Sequence, residues 1–188
     1  MNILNSRMLR GIERMVDLFL LNLIWLIVCI PVVTIFPATT AMYGVIRKWV
    51  IGKETDGVFR TFFGLFRECF FQSMGLSFLW FGLAYLIFLN YQLVHSNVLM
   101  MGILGVLALL FLSITVYLFP VMAHFETNWK HVIRNSLIMA ISYPLTTVLL
   151  IGILLISLYL IYLIPAMIFI VGSISVYGTY TVCHKLFT

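Results

Sequence analysis

The residues with the most chemical potential per position lie in one short block, Pro31-Val-Val-Thr34-Ile-Phe-Pro37-Ala-Thr39-Thr40. Three hydroxyls and two prolines inside an apolar run describe a turn that enters a helix at Pro37. A helix N terminus there would present free backbone N–H groups ringed by threonine hydroxyls, the arrangement with which discontinuous transporter helices hold anionic or polar solutes. The competing reading is that Thr34, Thr39 and Thr40 serve the turn itself, because unpaired backbone groups are costly in hydrocarbon. A second cluster, His124, Glu126 and His131, lacks the H-e-x-x-H spacing of a zinc helix and suits capping or headgroup contact better than metal binding. No G-x-S-x-G, no P-loop and no pair of carboxylates at an active-site spacing occurs. The sequence therefore points away from an enzyme, and no metal or cofactor is expected. Cys29, Cys69 and Cys183 are far apart and form no C-x-x-C pair, so they read as small apolar residues or free thiols.

The elements that must position these groups are those of a membrane protein. Of 188 residues, 63% are hydrophobic and 9% charged, where a globular chain has about 45–50% and about 25%; the mean hydropathy is +1.14. A span needs about 20 apolar residues, and four such runs stand out, at 70–89, 98–119, 145–163 and 166–183. The last two are joined by a turn at Ile164-Pro165 and must pair as an antiparallel hairpin; Pro144 and Pro165 stand at or near first helical turns, where a missing N–H is harmless. None of the four contains Asp, Glu, Lys or Arg, which argues against a carboxylate-driven pump.

Charge decides how the remaining apolar stretch, 18–46, must run. The chain has 11 Lys and Arg against 6 Asp and Glu, and in so hydrophobic a chain the cations fix topology rather than bind nucleic acid. They fall in four groups: Arg7, Arg10 and Arg14; Arg47, Lys48, Lys53, Arg60 and Arg67; Lys130 and Arg134; Lys185. The segments 90–97 and 164–165 carry none. A single full crossing over 18–36 would put the first three arginines on the opposite side from the rest, against the positive-inside rule. Two full crossings would need about 40 residues, more than 18–46 supplies. The expectation is a short or re-entrant helical hairpin: a helix ending near Pro31, a turn over 32–36, and a second helix from Pro37, with both termini cytoplasmic. The run after the first arginines exceeds the h-region of a signal peptide, about 7–15 residues, and is read as part of the mature chain.

Two segments are expected to lie along the membrane. Over 58–71, Phe59, Phe62, Phe63, Phe66 and Phe70 recur at helical spacing while Arg60, Arg67 and Glu68 mark the other face, the pattern of an interfacial amphipathic helix feeding the span from Phe70. With Arg47 and Lys48, the residues Phe59, Arg60, Phe62, Phe63, Phe66 and Arg67 make a candidate cytoplasmic docking surface. The segment 127–142 is a weaker candidate of the same kind. Gly172, Ser175 and Thr179, and separately Gly102 and Gly105, suggest close helix packing within the chain or across a homo-oligomer face. The expected architecture is an all-α polytopic bundle in one membrane domain, with four full spans and the N-terminal hairpin.

The run Asn22-Leu-Ile-Trp25, then Pro31-Val-Val-Thr34, Pro37-Ala-Thr39-Thr-Ala41-Met-Tyr43 and Arg47-Lys48-Trp49-Val50, followed by the phenylalanine helix, resembles the YesL-like family of bacterial multi-pass membrane proteins. Phe119-Pro120, Arg134-Asn135 and Tyr143-Pro144-Leu-Thr146 are similar too. The resemblance implies residence in the bacterial cytoplasmic membrane and association with carbohydrate uptake systems, often beside sugar importers; it brings no catalytic residues. Two functions follow: an accessory or regulatory subunit that docks on an importer, or a small-solute transporter or channel acting alone through the threonine turn.

Overall fold

In a solvent that offers backbone groups no hydrogen bonds, apolar runs close their own as helices, and prolines and glycines decide where they stop. The computed structural model describes residues 3–53, 57–93, 98–125 and 129–187, with side chains described from Ile12 onward except Phe125. The helices are α1 (Ile3–Val28), α2 (Ile35–Val50), α3 (Val58–Leu93), α4 (Val98–Phe125), α5 (Trp129–Ser142), α6 (Pro144–Leu163) and α7 (Ile168–Phe187), with 3-10 turns at Val32–Thr34 and Pro165–Met167. Among the described residues, four segments are long and apolar enough to cross a membrane: Val58–Leu93, Val98–His124, Pro144–Leu163 and Pro165–Phe187. The chain is an all-α polytopic helical bundle.

The expected N-terminal hairpin is present. α1 ends at Val28, the turn occupies residues 29–34, and Pro37 falls in the first turn of α2, where its missing N–H has no intrahelical acceptor to lose. With 16 residues, α2 is about 24 Å long, short of a hydrocarbon core of roughly 30 Å. It ends in a Schellman motif: Lys53 N–H donates to the Lys48 carbonyl at 2.9 Å and Gly52 N–H to the Trp49 carbonyl at 3.2 Å. Gly52 supplies the required left-handed residue, φ 75°.

Two boundaries differ from expectation. The segments 58–71 and 70–89 are one uninterrupted helix of 36 residues, about 54 Å long, because nothing between Val58 and Leu93 breaks it: the stretch has no proline. α4 continues through Pro120 to Phe125. Pro120 removes one backbone donor, but its neighbours Leu118 and Val121 are fully buried, and that packing holds the helix across the gap.

The centre of the bundle is α2. Of its 16 residues, 11 are buried, under α1, α3, α4 and α7. One core cluster joins Leu21, Ala41, Val45, Ile46, Phe62 and Tyr180; another joins Phe36, Trp80, Tyr117, Leu118, Val132 and Leu150. Phe36 touches both Phe81 and Phe119, ring centroids 5.7 and 5.2 Å apart. α5 lies back against α4 and buries Val132, Ser136 and Ala140; Thr127 lies outside the described residues. The outer faces of α4 and α6 are lined with exposed Leu, Ile and Val, as lipid contact requires.

Candidate functional site

The threonine turn is satisfied from within. Thr34 Oγ1 donates to the carbonyls of Val28 and Pro31, the latter at 2.6 Å; Val28 is the last residue of α1, whose carbonyl no helical N–H reaches. The indole N–H of Trp25 donates to Thr39 Oγ1 at 3.2 Å and ties α1 to α2. Thr40 Oγ1 donates to the Phe36 carbonyl at 2.9 Å and accepts from Ser73 Oγ at 3.4 Å. Ile30, Val32 and Val33 are exposed at the tip, so the turn shows an apolar exterior around bonded polar groups. This geometry favours the reading in which the hydroxyls serve the turn.

Close packing carries α1 onto α7. Asn22 is fully buried, donates from Nδ2 to the Ile168 carbonyl at 2.7 Å, and sets its Oδ1 where a Cβ on residue 172 would stand. Gly172 is therefore a packing glycine, and Ser175 continues the face by sharing a 2.6 Å hydrogen bond with Ser157 of α6. Gly102 and Gly105 differ: a Cβ on either meets open space, since the first half of α4 lies on the outside of the bundle.

Arg14 and Arg47 fix one end of the bundle. Arg14 of α1 stacks over Trp49 of α2, 4.9 Å from the ring centroid. Arg47 donates to the Ala123 carbonyl in the last turn of α4 at 2.9 Å, a charge-assisted cap at the negative end of that helix. Beside it His124 Nδ1 meets the Tyr180 hydroxyl at 3.0 Å, and the His124 ring packs on Phe187 at 4.5 Å. These contacts place Arg14 of α1, the end of α2, the end of α4 and the end of α7 at the same end of the bundle. The side chains of Arg7 and Arg10, and Glu126, lie outside the described residues; His131 is exposed on α5.

The candidate docking residues divide between surface and interior. Phe62 is fully buried, whereas Phe59 is 63% and Phe63 38% exposed; Phe66 is half-buried, and Arg60 and Arg67 are exposed. Phe59, Phe63, Phe66 and Phe70 form a chain of ring contacts along α3, the first 4.6 Å between centroids. Arg47 and Lys48 are half-buried and face inward, where with Thr40, Glu68 and Gln72 they line a cavity of about 220 Å³ between α2, α3 and α4. Its floor is apolar, with Leu65, Met122 and Ala123, and Gly44 lets Leu65 approach α2. The combination of two cations and one carboxylate around one space was not legible as a site in the sequence, because Glu68 is 20 positions from Lys48 and reads there as the polar face of an amphipathic helix.

Residues 18–91, from the later turns of α1 through α2 and nearly all of α3, match the family described as "Protein of unknown function, DUF624". Three uncharacterized proteins of Bacillus subtilis (strain 168) are similar to the chain. YteU is 29% identical over 145 residues, 73% of this chain and 65% of that protein. YesL is 28% identical over 134 residues, 69% of this chain and 64% of that protein. YesV is 29% identical over 176 residues, 84% and 80%. The chain thus spans 65% and 64% of the lengths of YteU and YesL. No solved structure matches it. The matched block holds the buried α2, the self-bonded threonine turn and the α2 and α3 walls of the cavity: over residues 18–91 the chain is similar to the DUF624 family, and over most of its length to YteU, YesL and YesV.

Proposed function

We propose that the protein is an accessory component of a carbohydrate uptake system in the bacterial cytoplasmic membrane, with both termini in the cytoplasm and no reaction of its own. The observation that supports this reading is the first third of α3. A span uses about 20 residues and α3 has 36, so its early turns run past the apolar span as a continuous rod. Phe62 is pinned in the core, while Phe59, Phe63, Arg60 and Arg67 remain exposed along the same turns. Aromatic and arginine side chains on a rigid element are the composition of interface hot spots, and the positive-inside rule assigns this end to the cytoplasm. The link to carbohydrate uptake comes from the YesL-like resemblance.

The test is purification in mild detergent from cells growing on the sugar whose importer is induced, followed by identification of co-purifying importer subunits. Phe59→Ala with Arg60→Glu should abolish their recovery while yield and helix content stay unchanged. Recovery of the protein alone, with solute flux when it is reconstituted into liposomes, would refute the accessory reading in favour of an independent transporter.

A further inference from the structure

We propose that the cavity between α2, α3 and α4 holds a phosphoethanolamine group, supplied by the headgroup of a phosphatidylethanolamine molecule in the leaflet at the cation-rich end. Arg47 and Lys48 come from the last turn of α2 and Glu68 from α3, and all three line the same space of about 220 Å³. Ligand pockets for whole drug-sized molecules are about 300–1,000 Å³; this one suits a headgroup whose acyl chains stay outside. Lys48 and Glu68 share the cavity, yet among the described residues neither closes an ion pair on the other. Lys48 is half-buried and Glu68 exposed, and a ligand that carries both signs would meet both charges, its attraction to each strengthening as it displaces water.

The polarity of the lining sets the orientation. The phosphodiester takes the charge-assisted bonds of Lys48, beside the Arg47 guanidinium, whose positive charge adds to the attraction while it caps the Ala123 carbonyl. The ammonium turns to the Glu68 carboxylate and the Gln72 amide. A purely anionic headgroup would meet repulsion from Glu68, and a quaternary choline has no N–H to donate. Depth agrees: Lys48 lies at the Schellman end of α2, and Glu68 precedes the apolar stretch of α3 that starts at Phe70, so the cavity sits at headgroup level, where basic pockets between spans bind lipid heads.

This inference is independent of the accessory function. The full chain is reconstituted into nanodiscs of equal parts phosphatidylethanolamine, phosphatidylglycerol and phosphatidylcholine, then released for native mass spectrometry of retained lipid. The wild type should keep one phosphatidylethanolamine in preference to either competitor by about fivefold or more, the discrimination of one charge-assisted contact. Lys48→Gln should lower retention of all three. Glu68→Gln should erase the preference over phosphatidylglycerol, whereas Glu68→Asp and the outer-face control Arg60→Gln should keep it. Equal retention of the three lipids by the wild type, or an unchanged preference in Glu68→Gln, would overturn the proposal. Stabilisation of the detergent-solubilised protein by soluble O-phosphoethanolamine, without retention of the lipid, would overturn the assignment of the source to the membrane.

Discussion

Replacing Gly172 by alanine should separate two effects that usually point the same way. On helix propensity alone the change would stabilise α7 by about 1 kcal/mol. The new Cβ, however, would stand against Asn22 Oδ1, roughly an ångström inside an ordinary contact. Overpacking of this kind costs about 1–3 kcal/mol. Asn22 cannot retreat cheaply, because it is fully buried and its Nδ2 donates to the Ile168 carbonyl, a bond worth about 1 kcal/mol more. The expected net loss is about 1–3 kcal/mol. Gly178 on the same helix faces open space, and Gly178→Ala should be neutral or stabilising by up to about 1 kcal/mol. Unfolding in mixed micelles, followed by tryptophan fluorescence, would give both values. In an Asn22→Ala background the penalty at position 172 should vanish, a coupling of about 1–3 kcal/mol between the two sites. A Gly172→Ala protein as stable as wild type, or one equally destabilised with and without Asn22, would refute the steric account.

Three further outcomes follow from the same contacts. Thr34→Val leaves the Val28 and Pro31 carbonyls without their hydroxyl donor and should lower stability by about 1–3 kcal/mol, read as loss of monodisperse protein on size exclusion. Arg47→Gln should cost about 1.5–3 kcal/mol by weakening the cap on α4, whereas Arg60→Gln, on an exposed side chain, should stay within about 0.5 kcal/mol; matched unfolding curves would compare them. Val33→Cys at the hairpin tip should resist a membrane-impermeant maleimide from either side of oriented vesicles, while Lys53→Cys should react from the side that labels a cysteine placed at Lys185; labelling of Val33→Cys from the side opposite Lys53→Cys would show that the hairpin crosses fully.

Much of the helical framework was legible because hydrocarbon leaves so few options: the four apolar runs, free of Asp, Glu, Lys and Arg, had to be helices long enough to span. The hairpin was legible from charge, since Arg14 and Arg47 could share an end only if the chain turned back between them. What could not be read was which helix sits in the middle. In water, a helix apolar on every side announces burial; in a bilayer, lipid-facing Leu107 and buried Val45 look alike. The signal that did exist was the run of small residues Ala38, Thr40, Ala41 and Gly44, which lets neighbouring backbones approach. The phenylalanine stripe misled in a similar way. Its spacing predicted one apolar face, but Phe62 goes to the core and Phe59 to the surface, a division set by α2, whose position the periodicity of α3 does not contain.

The central place of α2 also bears on how the protein can be made. α2 leaves the ribosome before α3, α4 and α7, yet its buried surface is covered by all three. Until α7 is inserted, Tyr43 lacks its neighbour Tyr180 in the core, and until α4 arrives Arg47 has no Ala123 carbonyl to cap. The hairpin must therefore wait at the membrane, with α2 only partly covered, through the synthesis of more than a hundred residues. Its apolar tip, and the Thr34 hydroxyl bonded to carbonyls of the turn and of α1, make that wait tolerable. Completion of the fold is a late event that depends on the last helix, and a chain interrupted before α7 would expose the face of α2 to whatever quality-control machinery surveys the bilayer.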